Sequence, residues 1–106
     1  MPSWTSRPYV VAAITVDTTI KTGSGQEKIS VVAFQLQANT ADVVFYFKSN
    51  TTQISGSITG ITNTVVNSPP LQDGQFFCQC TAGQDLAIDI ATSGGNLRGT
   101  VIYEVR

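Results

Sequence analysis

The sequence contains no histidine, two cysteines, one tryptophan and few charges of either sign. Each scarcity removes a class of function. Without histidine the commonest general base is missing, and neither a Ser–His nor a Cys–His nucleophile pair can form. Two cysteines cannot complete a zinc site within one chain, which leaves only a site shared between two subunits. The six basic residues, Arg7, Lys21, Lys28, Lys48, Arg98 and Arg106, are scattered. The chain therefore has no basic footprint for nucleic acid or for anionic lipid. No apolar run is long enough to span a bilayer as a helix.

The acidic residues Asp17, Glu27, Asp42, Asp73, Asp85, Asp89 and Glu104 offer little more. Asp85 and Asp89 are the closest match to a paired-carboxylate site. Four residues apart on a strand they would share a face at roughly 13 Å, too far for either glycosidase geometry. No spaced acidic loop supports calcium, and no glycine-rich phosphate cradle opens a helix. The expectation is a protein that makes contacts rather than one that does chemistry, with no cofactor.

At 106 residues the chain suits one domain with one core, and 42% hydrophobic residues argue against disorder. Charged residues are only 12%, about half the usual ~25%. Thr, Ser, Gln and Asn take their place. Such a surface belongs either to an ordinary Thr-rich β-domain or to a domain whose outer faces are covered by other subunits, since interface cores are depleted in charge.

Alternation with period two runs through the chain, and turn residues interrupt it every 8–12 residues. Val10, Ala12, Ile14, Val16, Thr18 and Ile20 share one face of an expected first strand. A second strand covers Lys28 to Ala38, with Val32, Phe34 and Leu36 inward and Gln35 and Gln37 outward. Asp42 to Ser49 places Val43, Phe45 and Phe47 on one face and Val44, Tyr46 and Lys48 on the other. Weaker strands are expected at Gln53 to Ile58, where glycine and small residues suggest an edge or bulge, and at Thr64 to Val66. The latter must stop before Ser68-Pro69-Pro70. After the Asp73-Gly74 turn come Gln75 to Cys80, then Leu86 to Ile90, then Leu97 to Val105, with Leu97, Gly99, Val101, Tyr103 and Val105 on one face. About eight strands and no helix predict an all-β fold, an antiparallel β-sandwich of jelly-roll or related Greek-key type. Residues 10–106 form the sandwich and residues 1–9 an N-terminal arm.

The cysteines sit in Phe76-Phe77-Cys78-Gln79-Cys80. Residues i and i+2 on a strand lie roughly 6.6–6.8 Å apart, and a disulfide needs Cβ atoms about 3.5–4.5 Å apart. Cys78 and Cys80 therefore do not bridge each other. With Phe76 they form one strand face, and free cysteine behaves as a small buried hydrophobe. Tyr46 and Phe77 are candidates for outward aromatics that could stack on a sugar ring. The apolar run Tyr9 to Val16 lacks the flanks of a signal peptide and reads as a strand. The expectation is therefore cytoplasmic synthesis, reduced thiols and a chance glycosylation match at Asn50-Thr51-Thr52.

The second half carries "ISGSITGITNTVV" and "SPPLQDGQFFCQCTAGQDLAIDIATSGGNLRGTVIYEV". A turn before an aromatic pair (Asp73-Gly74, Phe76-Phe77), the step from Thr81 to Leu86, the turn at Gly94-Gly95 and the terminal strand from Gly99 to Val105 resemble a family of small virion structural proteins of tailed bacteriophages. The resemblance implies a β-sandwich that decorates the capsid as a cement protein, partnered with the major capsid protein and located on the virion after synthesis in the host cytoplasm. The alternative it implies is a tail- or fibre-associated module that touches the host surface or carbohydrate. It supplies no active site. A closed homo-oligomer, preferably a trimer on threefold capsid axes, is the expected state. The arm from Met1 to Tyr9 is the expected contact element, because Trp4, Arg7 and Tyr9 are residue types enriched at interface hot spots.

Overall fold

The computed structural model describes residues 6–72 and 74–106; Trp4 and Asp73 lie outside the described residues. Ten strands follow in order: β1 (Arg7–Ile14), β2 (Thr18–Lys21), β3 (Ile29–Asn39), β4 (Val43–Ser49), β5 (Thr52–Gln53), β6 (Ile58–Gly60), β7 (Val65–Asn67), β8 (Cys78–Gln79), β9 (Leu86–Ser93) and β10 (Asn96–Val105). One sheet runs β1-β10-β3-β7, with β8 beside β7 on the same edge of β3. The other runs β2-β9-β4, with β5 and β6 sharing the free edge of β4. All strand pairs are antiparallel. Setting aside the two-residue strands β5 and β8, the remaining eight follow the jelly-roll order of two Greek keys. The sandwich expected from the turn spacing is the fold.

The core forms where alternation is strict. Val43, Phe45 and Phe47 on β4, Leu86 and Ile88 on β9, and Leu97 and Val101 on β10 have no exposed surface. Phe34 meets Phe45, Phe47 and Phe77 at centroid separations of 6.4, 5.6 and 5.3 Å, in edge-on or tilted geometry. Burying one such ring contributes roughly 1.5–3 kcal/mol, and each favourable ring pair adds about 0.5–1.5 kcal/mol.

The N-terminal strand is where the sequence expectation fails. The run Val10 to Ile20 is not one strand with one inward face. It crosses from one sheet to the other between Ile14 and Thr18, and Val11, not Val10, is inward: Val10 is 71% exposed. The cause is a bulge. Val11 pairs with Gly99 and Ile14 with Leu97, so β1 holds one extra residue, and Ala13 takes φ 55°. Side-chain parity inverts there, which brings Ile14 back to the core.

β3 repeats the device. Ala33 pairs with Ile102 and Val31 with Tyr103, leaving Val32 as the extra residue. Val32 is therefore not part of the inward set; Ile29 and Val31 are buried before the bulge, and Phe34, Leu36 and Ala38 after it. Gly99 is tied to its place by the backbone. Its φ of 140° lies outside the usual range of L side chains, and a Cβ there would run into the Gln35 carbonyl of β3.

Cys78 and Cys80 are buried free thiols packed into the core. The aromatic pair beside them is reversed from expectation. Phe77 turns inward onto Phe34 and Phe47, while Phe76 is 41% exposed beneath the Arg106 guanidinium, 5.4 Å from the ring centre. The ladder here is only Cys78–Gln79, so period two does not extend back to Phe76.

Candidate interaction face

The two sheets present outer faces of opposite character. On the β2-β9-β4 sheet, Tyr46 and Lys48 point outward beside Asp89 of β9, with which Tyr46 is in register. Asp17, from the link between β1 and β2, folds over them. Lys48 Nζ donates to Asp17 Oδ2 at 3.0 Å and to Asp89 Oδ2 at 3.3 Å, and the Tyr46 hydroxyl donates to the same Asp89 oxygen at 2.9 Å. The other Asp17 oxygen accepts the Ile90 N–H at 3.0 Å.

The network fixes the charge states. The Lys48 ammonium and the Ile90 N–H hold the Asp17 carboxyl below its ordinary value. Asp17, and Asp89 after it, raise Lys48. Asp89 raises the Tyr46 phenol by accepting its proton in a hydrogen bond. A carboxyl held ionised by a lysine is the reverse of what a general acid needs. Asp85 is not brought into this group. Its Oδ1 accepts the Gly23 N–H at 2.8 Å and fixes the turn after β2. Among the described residues no three metal-ligating side chains converge.

The outer face of the β1-β10-β3-β7 sheet is built differently. Three rows cross it at right angles to the strands. Val10, Thr100, Gln35 and Asn67 form the central row across all four strands. Pro8, Ile102 and Ala33 form a row on one side. Arg98, Gln37 and Val65 form the row on the other. Ten positions thus carry one charge, Arg98, which is exposed and has no hydrogen-bond or ion-pair partner among the described residues. Where β10 leaves the face, Glu104 accepts the Ser6 hydroxyl on Oε2 at 2.9 Å, and the Arg106 guanidinium on Oε1 at 2.8 and 3.2 Å.

The sequence-proposed contact residues divide. Arg7 is exposed at the first position of β1. Tyr9 is partly buried and packs against the core, and residues 7–9 pair with Tyr103, Ile102 and Val101 rather than standing apart as an arm. Trp4 lies outside the described residues. Of the two aromatics suggested for sugar stacking, Phe77 is turned inward and Tyr46 is half-buried and tethered to Asp89. The sparsely charged face was missed as a unit, although Gln35, Gln37, Arg98, Thr100 and Ile102 were each readable as outward from alternation.

Comparison of the chain with protein-family models, with curated proteins and with solved structures finds no match to any of them.

Proposed function

We propose that the chain is a structural virion protein that works by contact: a capsid decoration protein held on the outer surface of a phage head, with the major capsid protein as its partner. The observation that carries this reading is the contrast between the two outer faces. One gathers charge into a closed network; the other spreads nine neutral positions and one arginine over four strands, a composition that fits a surface covered in its working state. A compact sandwich that binds only the assembled form adds stability to a shell.

Quantitative mass spectrometry of purified particles tests the proposal. Hundreds of copies per particle are expected. A few to a few dozen copies would move the protein to a tail or fibre, and absence from particles would overturn the reading.

A further inference from the structure

We infer that the sparsely charged face of the β1-β10-β3-β7 sheet is a self-association surface, occupied by a second copy of this chain across a twofold axis with the two β10 strands antiparallel. The inference rests on the reading that this face is covered in the working state, and it names what covers it.

The edges of the sheet argue against strand addition. β1 carries Pro8, which has no N–H to donate, and the bulge at Ala13. The opposite edge is split between the three-residue β7 and the two-residue β8. These are the means by which sheets block edge-to-edge pairing. The face has no such protection. Val10, Pro8, Ile102 and Ala33 make its apolar part, and Thr100, Gln35, Gln37 and Asn67 its neutral polar part.

The charges select the arrangement. Outward positions on β10 run Arg98, Thr100, Ile102, Glu104. A twofold axis in the plane of the face, perpendicular to β10 and midway between Thr100 and Ile102, sets Arg98 of each copy over the partner's Glu104 and Thr100 over the partner's Ile102. Arg98 has no partner within its own chain among the described residues. Glu104 already accepts Arg106 on Oε1 and the Ser6 hydroxyl on Oε2, with its side chain 14% exposed; a carboxylate oxygen has room for a further donor, so the partner's Arg98 would join this group at its exposed side. The alternative axis, parallel to β10, would stack Arg98 on Arg98. A face self-complementary under one twofold closes with two copies, which replaces the trimer expected from the sequence.

Area sets the strength. Four strands ~4.8 Å apart and seven residues at ~3.4 Å give roughly 450 Å² of flat sheet, against the ~800 Å² per partner typical of stable complexes. The dimer is therefore weak and forms at high local concentration, as on a particle surface.

Sedimentation equilibrium of the purified full chain, from about 1 µM to about 1 mM, decides the matter. A monomer–dimer equilibrium is expected. Arg98→Glu should weaken it by about tenfold or more, because it sets two carboxylates face to face, and Thr100→Lys should do the same from the centre of the face without touching the core. Circular dichroism confirms that each variant is folded. A chain that stays monomeric at 1 mM, a trimer, or a dimer indifferent to both substitutions would overturn the inference. Particle copy number is a separate readout: a monomer present in hundreds of copies sinks this inference and leaves the decoration reading intact.

Discussion

At the scale of single residues, the two cysteines pose the clearest test. Burial pushes the Cys78 thiol up to about 12, with the neighbouring Cys80 adding to the effect, and burial raises Cys80 as well. A thiol is reactive only as thiolate, so both should ignore a thiol reagent at pH 8 in the native protein and react at once in denaturant. Cys78→Ala and Cys80→Ala should each cost about 1–2 kcal/mol in a urea titration through lost packing and a small cavity. Chelators should leave the fold and its association unchanged. Rapid native labelling, or a large chelator effect, would show that these groups do more than fill the core.

At the scale of elements, the charge network that joins the β1–β2 link to β4 and β9 sets how stability follows pH. Asp17 has a lowered folded pKa through Lys48, and Asp42 through the Thr62 hydroxyl and N–H. Their contribution is therefore complete above the ordinary carboxylate value and lost as pH falls through the folded ones, below about pH 4. Cys78, Tyr46 and Lys48 are raised. Their contribution is complete below the ordinary values and lost as pH rises, beginning near the ordinary thiol value of 9.0. With no histidine, the urea midpoint should be flat from about pH 5 to 8.5 and fall on both sides. Cys78→Ala should reduce the first part of the alkaline fall and leave the share of Cys80, whose thiol burial also raises, and a step between pH 5.5 and 7.5 would contradict the scheme. Much of this element structure was legible in the chain. β4 and β10 read correctly because their outward and inward sides alternate without interruption where the core depends on them. β1 and β3 did not, because one extra residue at Ala13 and one at Val32 inverts parity, and nothing in Val-Val-Ala-Ala or Val-Val-Ala marks where a bulge falls. The same inversion hid the candidate face: with Val10 placed on one face with Ile14, the row through Thr100 and Gln35 ended one strand short.

At the scale of the whole molecule, the start of β1 sets which truncations leave the described pairings intact. Every described strand pair of β1 lies at or after Arg7. A chain lacking residues 1–5 keeps every described pairing of β1 and should stay folded, which circular dichroism checks. A chain lacking residues 1–8 also loses the Ser6–Glu104 hydrogen bond and the pairings Arg7↔Tyr103 and Pro8↔Ile102. A loss of about 1 kcal/mol there would lower Tm by roughly 4–8 °C in a domain of this size. Equal melting of the full and the 1–8 deleted chains would mean that the first pairs of β1 add nothing. The shorter deletion is then the probe of attachment, because it removes Trp4 and leaves every described pairing of β1 in place. Particles should fail to retain that variant if residues 1–5 supply the anchoring contact. Full retention would place attachment on the sandwich itself, and competition between capsid and second copy for the sparsely charged face would become the quantity to measure.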